Sequence, residues 1–161
     1  MKKMSQTQHQ DRRGAALMEF AIICPILLML VLGTIEIGMA MRASTTLTAA
    51  IREGGRLASM DFSDKVAPGE TPNEKVERDI KNFISAAGFN GGAVSVSITH
   101  EGGSNDGSDF DLNDSSNNLE LFSIRATLPY SAVSIFPVNY MEGKTLAAET
   151  VFRATRSSLA Q

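Results

Sequence analysis

The apolar residues of this chain follow three different rhythms, and each predicts a different element. From Phe20 to Ile35 there is no rhythm, because Leu, Ile, Val, Met, Ala and Phe fill most positions and no residue is charged. Widening the window to Ala15–Met41 gives 27 residues in which only Glu19 and Glu36 carry charge. About 20 apolar residues in a helix span a hydrocarbon core roughly 30 Å thick, whereas buried helices of soluble proteins usually have shorter apolar runs. The run therefore predicts a membrane-spanning helix. Pro25 lies inside it, where it removes one backbone donor and crowds the carbonyl four residues earlier, so a bend is expected near residues 21–25. Such a bend serves either as a flexible point or as a packing kink.

The second rhythm is helical. Ile37, Met41, Ser44, Thr48, Ile51, Gly55 and Ala58 recur at alternating spacings of four and three, while Arg42, Arg52, Glu53 and Arg56 fall off that seam. This predicts that the helix continues outside the membrane with one face packed. Gly54-Gly55 weakens it by roughly 1 kcal/mol per glycine relative to alanine, which points to a close neighbour or a kink. After a connector over 63–69, Thr71-Pro72-Asn73-Glu74 reads as a capping box with proline in the first turn. Val76, Ile80, Phe83, Ile84 and Ala87 form an apolar stripe, Gly88 ends that helix, and Asn90-Gly91-Gly92 turns the chain.

The third rhythm is alternation. Val94, Val96 and Ile98 interleave with Ser95, Ser97 and Thr99, the signature of a half-buried strand. A second strand is predicted over about 120–128, with Phe122, Ile124, Ala126 and Leu128 inward and Pro129 closing it. A short apolar link over 131–136 ends at Pro137. A third strand is predicted over 145–155, with Leu146, Ala148, Thr150, Phe152 and Ala154 on one face. The expected fold is α+β: a long N-terminal helix, then a small domain of one helix and a mostly antiparallel three- to four-stranded sheet.

Charge and composition sharpen the layout. The expected divisions are a leader over 1–14, a transmembrane helix over 15–41, its extramembrane continuation over 42–60, and an α+β domain over 61–161. The leader is polar and carries Lys2, Lys3, Arg12 and Arg13 against Asp11, a net +3; the whole chain is −3, so the remainder is −6. Four basic residues precede the span and only Arg42 follows closely, which predicts a cytoplasmic N-terminus and an exported C-terminal domain. An acidic exported domain argues against nucleic-acid binding, which needs a basic face. Cys24 is the only cysteine, so no intramolecular disulfide forms; packing is its expected role, with cross-linking of two copies or lipid attachment as alternatives. A twin-arginine signal is not expected at Arg12-Arg13, since the apolar run is too long.

Glu19 is the anomaly of the span, because a charge inside a bilayer costs at least ~2–3 kcal/mol and so has a partner or a purpose. A secretory signal would place its small-residue cleavage site after the apolar core; here Gly14 stands before it, behind basic residues. Gly14, then Glu19-Phe20 at the head of an apolar helix, resembles the prepilin-peptidase site of type IV pilin-like proteins. The resemblance implies cleavage after Gly14, a new N-terminus at Ala15, and Glu19 as the fifth residue of the processed chain. Glu19-Phe20-Ala21, Pro25, Gly33-Thr34-Ile35-Glu36-Ile37-Gly38 and Ala49-Ala50-Ile51-Arg52-Glu53-Gly54-Gly55-Arg56 resemble the TadE-like family. Members are pilin-like components of Tad (tight adherence, Flp pilus) systems. It implies a minor pilin or pseudopilin acting in pilus initiation or assembly, anchored in the inner (cytoplasmic) membrane. Its partners would be the membrane, prepilin peptidase and other pilin-like subunits. Glu19, Gly33, Glu36 and Gly38 become candidate subunit contacts, since small residues permit close helix approach.

Outside that resemblance the chemistry is thin. Asp109, Asp111, Asn113 and Glu120 occupy positions 1, 3, 5 and 12 of an EF-hand-like calcium loop. The sixth position, however, carries Asp114 where glycine is needed, and the flanks read as strands; a plain polar loop is the main expectation. His100 has no second histidine or cysteine beside it for a zinc site. No nucleophile elbow, phosphate loop or dinucleotide fingerprint occurs, so neither an enzyme nor a cofactor is expected. The alternative left open is an unprocessed single-span sensor or surface-binding domain with a calcium-dependent loop.

Overall fold

The computed structural model describes residues 4–60, 66–136, 141 and 143–155, with side chains from Gly14 onward. The chain divides into two compact units, 1–38 and 39–161. Its first element, α1 (Met4–Ala58), contributes to both. The helix begins ten residues before Gly14, upstream of the start expected at Ala15. Residues 4–13 contain neither Gly nor Pro, and extending a formed helix needs no new nucleus. The helical assignment also runs through Pro25, which has no N–H to offer the Ala21 carbonyl.

The second unit is α+β as expected. Helix α2 (Pro72–Ala86) is followed by strands β1 (Ser95–His100), β2 (Leu121–Pro129) and β3 (Thr145–Arg153), antiparallel in the order β1-β2-β3. Thr71 caps α2 reciprocally: its hydroxyl accepts from the Glu74 N–H at 3.2 Å, and the Glu74 carboxylate accepts from the Thr71 N–H at 2.7 Å. The helix ends on Gly88 at φ +91°, with the Gly88 N–H donating to Ser85 and the Phe89 N–H to Ile84, so the terminal carbonyls are satisfied. Val76, Ile80 and Ile84 are buried as the stripe predicts; Phe83 is 40% exposed and lies off it. Residues 63–65 of the connector and Pro137 lie outside the described residues.

The alternating patterns translate directly into the sheet. Phe122, Ile124, Ala126 and Leu128 of β2, the central strand, are fully buried, and β3 presents Leu146, Ala148, Thr150 and Phe152 half-buried on the same face. Phe110, Phe122 and Phe152 form a line of rings with successive centroids 5.0 and 5.8 Å apart. Within this unit α1 supplies Ala43, Leu47, Ala50, Ile51 and Ala58 to the core. The seam therefore differs from the expected one over its first half. Ile37 and Met41 are exposed, Ser44 and Thr48 are half-buried, and Ala43 and Leu47 take the inward places. The two faces are adjacent on the helix, and the larger apolar Leu47 gains more from burial than Thr48.

The glycine pair on α1 has the close neighbours its composition suggests. A β-carbon on Gly54 would stand 2.6 Å from Ile80 Cγ1 of α2, and one on Gly55 would run into the Phe152 ring of β3. Consecutive positions thus receive α2 and the sheet, one each. Thr155 Oγ1 donates to the Ser59 carbonyl at 2.8 Å, tying the residues after β3 to the end of the helix.

Candidate functional site

The first unit presents the Gly14–Phe20 segment and the apolar run on an exposed helix. Gly14 through Phe20 are exposed, including Glu19, and nothing stands within 4 Å of where a Gly14 side chain would be. Beyond them Ile22, Ile23, Ile26, Leu27, Leu28, Met29, Leu30 and Val31 all face outward. The most apolar window reaches a mean hydropathy of 2.6 with none of it buried in the protein. A contiguous apolar surface of that extent is not left in water by soluble monomers. Its polar groups are managed locally: the Thr34 hydroxyl donates to the Leu30 carbonyl at 2.8 Å, which removes an unsatisfied donor from the apolar stretch.

Of the four candidate subunit-contact residues, Glu19 is exposed and both Gly33 and Gly38 face open space where a side chain would stand. Glu36 differs, being buried with 3% of its surface exposed. Cys24 is half-buried with a free thiol.

Packing and hydrogen bonds organise the polar loop of the second unit. Asp109, Asp111 and Asn113 are exposed, while Phe110 and Leu112 between them are buried in the core. The polar residues alternate because Phe110 and Leu112 between them turn into the core, ahead of a turn in which the Asp114 N–H donates to the Asp111 carbonyl at 3.3 Å, and that alternation mimics the odd positions of a calcium loop. Asn73 of α2 holds the segment. Its Nδ2 donates to the Phe110 carbonyl at 2.7 Å, and its Oδ1 accepts from the Leu112 N–H at 2.9 Å. The Asp111 carboxylate accepts from the Asn113 N–H at 2.7 Å, and Asp114 accepts from the Ser116 N–H at 2.8 Å. That last bond, backbone first, holds the Asp114 carboxyl below its ordinary range. Glu120 lies elsewhere, with Oε2 3.2 Å from Nδ1 of the buried His100, whose ring packs on Phe110 at 4.6 Å. Among the described residues no group of three or more His, Cys, Asp or Glu is assembled to hold a metal ion. The Asn73 clamp and the His100–Glu120 pair were not foreseen. The Phe110/Leu112 alternation was the signal for the buried part.

Among the described residues one exposed apolar helix is long enough to cross a membrane and is followed by a small α+β domain, which fits a single-pass membrane protein. The family model described as TadE-like protein matches residues 14–56, beginning at Gly14 and ending within α1. Over that segment the chain is similar to TadE-like proteins. No curated protein and no solved structure matches the chain significantly.

Proposed function

We propose that the chain is a minor pilin or pseudopilin of a Tad (Flp) pilus system, cut after Gly14 by prepilin peptidase and acting in pilus initiation or assembly. The observation that carries this is the placement of a lone exposed carboxylate, Glu19, five residues beyond Gly14 at the head of an exposed apolar helix. Glycine is the weakest helix former of that stretch apart from Pro25, by about 1 kcal/mol against alanine, so the helix opens most readily where a peptidase would need it extended. Cleavage exposes an amine at Ala15. Glu19 of one subunit then pairs with the Ala15 amine of a neighbour, which relieves two charge costs inside the bilayer and sets the axial register.

In this reading residues 15–41 span the inner membrane with the N-terminus cytoplasmic, 42–60 continue outside, and the acidic domain is exported. Gly33, Glu36 and Gly38 form the second contact zone between helices. The partners are the membrane, prepilin peptidase and other pilin-like subunits. TadE-like proteins are structural components, and this chain acts as the substrate of an enzyme rather than as one. The test is Glu19→Ala in the native host. The variant inserts into the membrane at the normal level and fails to support pilus assembly; normal piliation would remove the register mechanism.

A further inference from the structure

The stretch that mimics a calcium loop contains a second pattern, Asn113-Asp114-Ser115. Of the chain's eight asparagines, Asn113 is the one followed two places later by Ser or Thr. Asn-x-Ser is the acceptor pattern for N-linked glycans, and it belongs on a surface loop of an exported segment. So short a pattern also arises by chance, so its setting decides.

The setting is that of an acceptor. Residues 113–116 are all exposed. Phe110 and Leu112 are buried just ahead of them and held by Asn73, so the exposed turn stands on a fixed base. The polar neighbours are engaged elsewhere. The Asp111 carboxylate takes the Asn113 N–H and the Asp114 carboxylate takes the Ser116 N–H, while Asn117 Nδ2 donates to the Asp111 carbonyl at 3.0 Å. Among the described residues neither the Asn113 carboxamide nor the Ser115 hydroxyl has a hydrogen-bond partner in the protein. Asn73 and Asn117, by contrast, spend their carboxamides on backbone groups. Asp111, exposed two residues ahead of Asn113, adds a carboxylate that an arginine of a modifying enzyme can grip, which lengthens the pattern to Asp-x-Asn-x-Ser.

We infer that Asn113 is the attachment site of an N-linked glycan. The donor is an oligosaccharide linked to a polyprenyl diphosphate. Asn113 Nδ2 bonds the anomeric carbon as that carbon's bond to the diphosphate oxygen breaks. The diphosphate leaves with the bonding electrons, and one Nδ2 proton passes to a base of the transferase. Ser115 is a positioning residue, whose hydroxyl holds the acceptor in the enzyme and is not itself modified. The glycan projects into water from the exposed turn, and the packing beneath it is unchanged. The inference rests on the exported placement of 61–161 proposed above, because the transfer takes place on that side of the membrane.

The experiment is mass spectrometry of the tryptic peptide 82–125, which has no internal Lys or Arg and contains the triplet, from the full chain purified out of its own host's membranes. The expected peptide carries sugar units on Asn113, located by fragmentation that keeps the glycan attached. Asn113→Gln and Ser115→Ala each abolish the added mass and Ser115→Thr retains it. All three variants keep the wild-type urea midpoint, because both sites are exposed. A wild-type peptide at its unmodified mass overturns the inference, as does a sugar that maps to a serine or survives Asn113→Gln. Protease added to intact spheroplasts separates this inference from the reading beneath it. A digested domain with an unmodified peptide removes the glycan alone; a protected domain removes the exported placement and the glycan with it.

Discussion

Replacing Gly55 by alanine pits two effects of known size against each other. At an ordinary helix position the change gains about 1 kcal/mol, because alanine gives up less chain entropy on folding. Here the new methyl group would enter the Phe152 ring, which is itself packed against Phe122 at 5.8 Å. An aromatic ring cannot fold away as the end of a long side chain does, so the helix or the strand must shift. Overpacking of this kind costs about 1–3 kcal/mol. The net expectation for Gly55→Ala is a loss of up to about 2 kcal/mol. In a Phe152→Ala background the obstacle is gone, and the same substitution becomes stabilising by up to about 1 kcal/mol. The assay is urea unfolding of the full chain in detergent, followed by near-ultraviolet circular dichroism, for wild type, both single variants and the double variant. A change of sign between backgrounds is the prediction, and it isolates the pairwise effect. An equal effect in both backgrounds would refute the claim that α1 packs on the sheet through Gly55.

Three further expectations follow from other contacts. Asn73→Ala removes both hydrogen bonds that hold the Phe110–Leu112 segment and costs about 1–3 kcal/mol; hydrogen exchange at the Leu112 amide accelerates selectively. The Glu74 carboxyl is held below its ordinary value, first by the Thr71 N–H and then by the Thr71 hydroxyl. Its stabilising contribution is therefore present above the unfolded value near 4.5 and is lost as pH falls through the lower folded value. Glu74→Gln flattens that part of a pH series of urea midpoints. Gly54→Ala is better tolerated than Gly55→Ala, because its new methyl meets the flexible end of Ile80 rather than a ring; the same unfolding assay ranks the two.

What could be read from the sequence was local. The Thr71–Glu74 cap, the Gly88 terminus and the strand alternations each involve residues within a few positions of one another, and each appears where its pattern stands. What depended on distant partners was harder to read. The α1 seam is built largely from Ala, Ser, Thr and Gly, which differ little in apolarity, so the choice of Ala43 and Leu47 over Ser44 and Thr48 is made by α2 and the sheet. Asp109, Asp111 and Asn113 carry an alternation that fits both a metal loop and a segment with every second residue packed inward. Only the burial of Phe110 and Leu112 separates the two. The helix over 4–13 was missed because a polar stretch gives no periodic signal, although nothing in its composition stops a helix already formed beside it. For the proposed processing motif the sequence already held the whole pattern, and the structure adds the exposure of Gly14 and Glu19.

The most direct test of the account is the intact mass and N-terminal sequence of the protein recovered from membranes of its own host. The account predicts a 147-residue chain beginning at Ala15, the 161-residue sequence less its first 14, and a Gly14→Val variant that remains full length. A wild-type chain still beginning at Met1 would contradict it and leave an uncut single-span anchor in its place.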